Sequence, residues 1–188
     1  MKRNITEEYN PIRPAGRLML TIGRDLIKSA SSALLELVKN AYDADSPDVS
    51  IKLCADRSKN RVCIVIVDHG HGMTTNVVKN VWLVPATGDK LKRKRSPLGR
   101  TLQGRKGVGR FATAILGDEL LLETVADKIQ TDVMLNWAEF ESSEYLDQVK
   151  VLTSSYEVDS DSGTKLTIEG GANYLEQWSP GQIRQMIY

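Results

Sequence analysis

The feature that most narrows the fold is a single helical stretch, apolar along one edge and chemically loaded beside it. From about residue 24 to 44, apolar residues recur at Leu26, Ala30, Ala33, Leu37 and Ala41, with Ile27, Leu34 and Val38 widening the stripe. That is the period of a helix laying one face on a core. Glu36, Asn40 and Asp43 stand at i, i+4 and i+7. At ~100° per residue they fall within roughly 60° of one another. They line the margin of the buried face, while Lys28 and Lys39 are expected on the far, solvated side. Ser46-Pro47 ends the helix. Polar groups so close to a core need partners, or a ligand that supplies them. Taken alone the ridge has a second reading, because Asn and Asp also gather at helix C-termini for their turn chemistry.

The surrounding chain predicts a sheet for this helix to cover. Val49 to Cys54 alternates like a half-buried strand, residues 56–60 carry turn chemistry, and Val62 to Val67 reads as a more fully buried partner. A short helix is expected from Thr74 to Trp82 and another from about Val108 to Leu116. Strand-like runs follow near Glu119–Ala126, Gln130–Trp137, Gln148–Ser154 and Thr164–Glu169. Helices early and strands late predict an α+β two-layer sandwich, its sheet mixed but mostly antiparallel and its helices on one face. Pro11 and Pro14 make residues 1–22 an extended arm or edge strand. Trp82, Trp137 and Trp178 are expected in the core.

At 188 residues the chain suits one well-packed domain. Its formal net charge is +1, so any nucleic-acid or membrane contact would rest on local charge. There is no apolar run of membrane-spanning length, and Met1-Lys2-Arg3 leads into polar residues rather than a signal core; a cytoplasmic location with no membrane partner is the expectation. Cys54 and Cys63 lie in β-like stretches without metal-ligand spacing and read as buried free thiols, with a disulfide the lesser option. Ser179-Pro180 opens a helix with no stop signal. Residues 171–188 are therefore expected to begin a connection to further C-terminal domains.

Three more motifs follow the helix in order. Asp68-His69-Gly70-His71-Gly72-Met73 places a carboxylate at a strand end. Two glycines then let the backbone approach a flat ligand closely. A plain Asp-X-Gly turn would look the same. His69 and His71, without further His or Cys nearby, make at best a partial metal site. Gly104-Arg105-Lys106-Gly107-Val108-Gly109 precedes a helix and can present bare N–H groups to an anion. Its spacing is neither the P-loop nor the dinucleotide fingerprint. Ser162-Gly163-Thr164 opens the last strand.

In this order, Glu-x-x-x-Asn-Ala-x-Asp-Ala, Asp-x-Gly-x-Gly-Met, Gly-x-x-Gly-x-Gly and Gly-Thr resemble the ATP-binding domain shared by gyrase B, the large heat-shock chaperones, histidine kinases and MutL, the GHKL superfamily. The resemblance covers roughly residues 20–170. It implies a Bergerat fold over 23–170, with ATP and Mg²⁺ as cofactors. Glu36 would be the general base that polarises the attacking water. Asn40 would ligate Mg²⁺ on the phosphates, with Asp43 and Ala44 near the nucleotide. Asp68 would accept from the adenine amino group, supported by Thr164, with Gly70, Gly72 and Met73 lining the pocket. Gly104, Lys106, Gly107, Val108 and Gly109 would wrap the phosphates.

The acid at Glu36, with no phosphoacceptor-histidine helix before it, favours the hydrolysing branches over a histidine kinase. Thr87-Gly88-Asp89-Lys90 looks like the Thr-Ser-Lys element of MutL- and MORC-like ATPases but departs at its middle positions, and it would bring Lys90 to a phosphate. The implied activity is Mg-dependent ATP binding with slow hydrolysis, gating conformational change or homodimerisation of a longer protein. The alternatives are an ATP sensor that does not hydrolyse, or a kinase's ATP domain. Residues 83–106 would form the nucleotide lid. Its basic run Lys90–Arg95 reads as a solvated loop, a flap reporting nucleotide state, or a nucleic-acid contact in the full-length protein.

Overall fold

The computed structural model describes residues 11–27, 29–85, 94–104 and 109–187, with side chains at all of these except 24–26, 110 and 185–187. Helices α1 (Leu18–Leu26) and α2 (Ala30–Asp43) lead into the hairpin of β1 (Val49–Asp56) and β2 (Arg61–Asp68). The short helix α3 (Thr75–Val77) widens into a π-turn over Val78–Trp82. A 3₁₀ turn at Gly109–Ala112 runs into α4 (Thr113–Leu116). After β3 (Glu119–Ala126) and β4 (Ile129–Asn136) come α5 (Trp137–Ser142), β5 (Leu152–Glu157) and β6 (Gly163–Gly170). A 3₁₀ segment, Ala172–Trp178, then leads to α6 (Pro180–Ile187).

The six strands form one sheet in the order β1-β2-β6-β3-β4-β5, and every pairing is antiparallel. This is the α+β sandwich that the alternating runs predict. Alternation along the strands decides the layers. Val62, Ile64 and Ile66 of β2, Leu120 and Leu122 of β3, Val133 and Leu135 of β4 and Ile168 of β6 are buried on one side. They join Ala33 and Leu37 of α2 and Met19 and Leu20 of α1 in a single core. The intervening strand positions are mostly half-exposed, so the helices cover one face of the sheet. Trp137 and Trp178 are buried in that core and Trp82 packs against it, as expected.

The structure departs from the sequence reading in several places. The continuous helix over 24–44 is two helices. Ser29 adopts an extended backbone (φ −156°, ψ 159°), and its Oγ accepts the Ser32 N–H at 3.2 Å, so it caps α2 and breaks the run. The first helix reaches back to Leu18, inside the expected extended arm. Only 11–15 remain irregular among the described residues of that arm. Arg13 ties this stretch to the α5–β5 loop, lying 3.7 Å over the Tyr145 ring and reaching both carboxylate oxygens of Asp147. β4 stops at Asn136, whose Oδ1 accepts the Ala138 N–H and so opens α5 at Trp137. β5 begins at Leu152 rather than near Gln148, because residues 146–148 form a 3₁₀ turn. Cys54 is exposed and Cys63 half-buried, both free, so the thiols are not the buried pair expected. Lys28 lies outside the described residues, as does the side chain of Leu26.

Leu37 is 4% exposed and joins α2 to the sheet. Leu37→Ala removes buried methyl groups and leaves a cavity, an expected loss of about 2–5 kcal/mol of folding stability. Urea unfolding followed by circular dichroism measures it.

Candidate functional site

Everything at the site hangs from the C-terminal end of α2. The Ser46 N–H donates to the Ala41 carbonyl and the Asp45 N–H to that of Tyr42, both at 3.1 Å. Asp45 is left-handed (φ 62°). This is the Schellman closure of a helix, with Asp where glycine is usual. The Ala44 carbonyl accepts the His71 N–H at 2.9 Å, and Ser46 Oγ accepts the His69 N–H at 2.8 Å. A Cβ at Gly70 would overlap the Ala44 carbonyl oxygen, so only glycine lets the loop after β2 lie this close. His69 Nδ1 faces Asp48 at 2.7 Å and His71 Nδ1 faces the Gly72 carbonyl at 2.7 Å, so both histidines have loop partners.

That loop carries Asp68, Gly70, Gly72 and Met73 across the helix-covered face. Asp68 pairs in register with Thr164 of β6, which pairs with Thr124 of β3, which pairs with Thr131 of β4. A polar row thus crosses four adjacent strands where the apolar core stops. Thr124 and Thr131 have no exposed surface. Thr124 Oγ1 accepts the Met73 N–H at 3.0 Å, donates to the Gly163 carbonyl at 3.1 Å and lies 3.1 Å from Thr164 Oγ1. Thr131 Oγ1 meets Thr75 Oγ1 at 2.8 Å. Gly72 is left-handed (φ 63°), and a side chain there would overlap the Val125 carbonyl. One Asp68 oxygen accepts the Gly70 N–H at 2.9 Å. Burial pushes the Asp68 carboxyl above its ordinary value, against the opposing pull of that N–H and of His69 and His71.

At 1.5 Å per residue back along α2 from Ala44, Asn40 stands about 6 Å away and Glu36 about 12 Å away. The 3₁₀ turn after the glycine motif returns to them. A Cβ placed on Gly109 would lie 3.5 Å from Glu36 Oε2 and 3.7 Å from Asn40 Nδ2. Absence of a side chain there keeps space open over the carboxylate and the amide. Lys39 is not on a solvated far side as the sequence reading has it. Its Nζ lies 2.8 Å from Glu36 Oε1, both side chains about one-third exposed.

Asp43, the third residue of the ridge, turns elsewhere. It is 5% exposed, and its two oxygens accept the N–H groups of Gln103 (2.7 Å) and Gly104 (3.0 Å). Asp45 accepts the Ser96 hydroxyl at 2.5 Å and the Leu98 N–H at 3.0 Å. Burial opposes its ionisation, but these bonds and the nearby Arg100 hold its carboxyl below the ordinary value. Arg100 donates to the Tyr42 and Ser46 carbonyls and lies over the Tyr42 ring. Residues 94–104 are therefore fastened to the C-terminal end of α2 by two carboxylates. Lys90, Lys106, Gly107 and Val108 lie outside the described residues.

Sequence reasoning missed Thr124, Asp45 and Thr131. The alternation of β3 gives the only signal: a threonine at Thr124, where Leu120 and Leu122 lead one to expect an apolar residue.

A one-faced antiparallel sheet with an acid-and-amide helix on one side, an aspartate-glycine loop beside it and a glycine turn closing over them defines a nucleotide-binding class of α+β domain. Residues 27–165 match the family described as histidine kinase-, DNA gyrase B- and HSP90-like ATPase, and the chain belongs to that family. It is 27% identical over 178 residues to the chaperone protein HtpG of Cronobacter sakazakii (strain ATCC BAA-894), a match covering 87% of this chain and 26% of that protein. The chain thus spans about a quarter of that relative's length. Among the described residues no helix is long and apolar enough to cross a membrane.

Two outcomes follow from Asp43 and Asp68. Asp43→Asn leaves one acceptor for two N–H groups, with an expected cost of about 1–3 kcal/mol. Hydrogen exchange should quicken at the Gln103 and Gly104 amides before the sheet is affected. For Asp68 the sign is opposite. Its carboxyl is raised in the folded state, so stability is lost as pH climbs from the ordinary carboxylate value through that raised value. Asp68→Asn should melt higher than wild type near neutral pH, and that advantage should vanish as pH falls to the ordinary carboxylate value. Thermal melts across that range measure the crossover.

Proposed function

We propose that this domain binds ATP with Mg²⁺ and hydrolyses it slowly, and that nucleotide state drives conformational change or dimerisation of a longer protein. The observation that carries the reading is the two-ended site on α2. The Asp68–Thr164–Thr124 row meets α2 at Ala44, and Gly109 meets α2 at Asn40 and Glu36, about 6 and 12 Å along the helix, on the scale of an extended nucleoside triphosphate.

In this reading Asp68 accepts from the adenine amino group. Thr164 shares a hydrogen-bond network with Thr124, so its hydroxyl is held in place beside that carboxylate. Gly70, Gly72 and Met73 form the wall of the base pocket, and Ala44 beside Gly70 keeps that wall thin. At the other end, Glu36 takes a proton from the attacking water. The oxygen of the Asn40 amide suits a hard cation that keeps most of its waters and phosphate ligands, which fits a site offering so few protein donors. Bound there, Mg²⁺ would neutralise phosphate charge. Gly104 and the glycine turn at Gly109 would close around the phosphates, with Lys106, Gly107, Val108 and Lys90 as the further contacts the resemblance implies. ADP is the product that would leave, and a cytoplasmic location goes with this use of ATP.

A second reading, ATP sensing without hydrolysis, has one observation in its favour: Lys39 holds the Glu36 carboxylate that would have to meet the water.

Calorimetric titration with a non-hydrolysable ATP analogue and Mg²⁺ tests the site. Micromolar to submillimolar affinity is expected, and Asp68→Asn should weaken it by roughly 10–100-fold, the loss of a hydrogen bond to a charged group. Wild-type binding that Asp68→Asn leaves untouched overturns the adenine assignment. Phosphate release then separates the readings. Glu36→Ala should abolish turnover while keeping affinity within a few-fold; a wild type that binds without turnover is a sensor.

A further inference from the structure

The two cysteines are not part of the nucleotide site, yet the sheet sets them face to face. Cys54 of β1 and Cys63 of β2 are direct partners in the antiparallel register. Residues opposed in this way lie about 4.5–5.5 Å apart at Cα, inside the range of roughly 4.4–6.8 Å that a disulfide spans. Directly opposed side chains leave the sheet on the same side. Cys63 alternates with the buried Val62 and Ile64, which places both sulfurs on the face away from the helices. β1 is the outer strand of the sheet, so Cys54 is exposed, whereas Cys63 is half-buried between β1 and β6. The Arg61–Glu169 ion pair, at 2.6 Å, borders Cys63 on that face.

We propose that Cys54 and Cys63 form a vicinal dithiol that peroxides oxidise to a cross-strand disulfide, fastening the edge strand β1 to β2. Cys54, the open sulfur, meets the oxidant first. Its thiolate attacks one oxygen of hydrogen peroxide, the O–O bond breaks, and Cys54 becomes a sulfenic acid while hydroxide leaves and is protonated to water. The Cys63 sulfur then attacks the Cys54 sulfur. An S–S bond forms, the S–O bond breaks and the Cys63 proton leaves with that oxygen as a second water. In all, two thiols lose two electrons and two protons, and one peroxide becomes two waters. Burial, with Glu169 and Cys54 itself behind it, pushes the Cys63 thiol above its ordinary value, which makes it the second to react rather than the first. Reduced, the same pair is a chelating dithiol for thiophilic reagents.

The test uses the whole chain, folded, with no nucleotide. After peroxide treatment and alkylation with iodoacetamide, the intact mass should fall by two hydrogens with no alkyl group added. Tryptic digestion should give one cross-linked product joining Leu53–Arg57 to Val62–Lys79. Cys63→Ser should stop the reaction at a Cys54 sulfenic acid that dimedone traps. Independently, one phenylarsine oxide per chain should protect both cysteines of the untreated protein from alkylation, and neither single serine variant should be protected. Disulfide dimers between chains, oxidation of Cys54 beyond the sulfenic stage with Cys63 still alkylated, or alkylation of both thiols in the presence of the arsenical would each overturn the proposal.

Discussion

The Ala44 carbonyl and the Ser46 hydroxyl take the His71 and His69 amides, and through those two bonds helix and sheet share one turn of chain. Four residues of α2 and its cap serve four structures there. Asp43 holds residues 103–104, Ala44 seats the loop after β2, Asp45 holds residues 96–98, and Ser46 ties back to Asp48. The left-handed residue at this helix end explains why an aspartate stands where glycine would be cheaper. Glycine would close the helix as well or better, but it would offer no carboxylate to Ser96 and Leu98. The strain of a positive φ is accepted because the side chain spans to a segment more than fifty residues on.

The polar row beneath that loop obeys a different constraint. An apolar core would serve the sheet better at Thr124 and Thr131, since neither has any exposed surface. A buried hydroxyl is tolerable only when satisfied. Thr124 meets that condition with three partners, from two separate segments of chain. It therefore fixes the height of the Met73 backbone over β3 and the start of β6 at once. Asp68 is the costly member, since its charge is held against burial. Asn in its place would carry no such charge, and the proposed function gives that carboxylate a contact that would account for its presence.

Much of this was legible before any coordinates, and the part that was not has a common character. Periodicity identified both faces of the sheet because alternation reports burial along a single strand, and Val62 to Val67 or Leu120 to Ala126 carry that signal within a few residues. The motif order singled out Glu36, Asn40, Asp68 and Thr164 as candidates, because each sits in a short run of fixed spacing. The break at Ser29 was hidden by a stripe that runs on through Ile27 and Ala30, both buried, on either side of it. Helical geometry places Asp43 on the ridge, where it needs a partner or a ligand and the local sequence does not say which. Only the arrival of Gln103 and Gly104, sixty residues later, turns it into a structural acceptor. Asp45, Thr124 and Thr131 escaped for the same reason: their partners are distant in sequence, and nothing local distinguishes a turn aspartate or a strand threonine from the ordinary kind.

The two ends of the site are consequently built to different stiffness. At one end, Asp68 and Thr124 are set by strand register, by glycines that admit no side chain and by buried hydroxyls. At the other end, Glu36 is a partly exposed side chain whose ion-pair partner among the described residues is Lys39. A surface pair of this kind is worth little, typically under about 1 kcal/mol, so it orients the carboxylate without fixing it. Binding free energy under the proposed function would therefore come mainly from the rigid end. Turnover would depend on when the adaptable end is brought into line. Residues 94–104 cannot supply that motion, because Asp43 and Asp45 bind them to the rigid end of α2. Gly109, lying against both Glu36 and Asn40, is where that alignment would be felt.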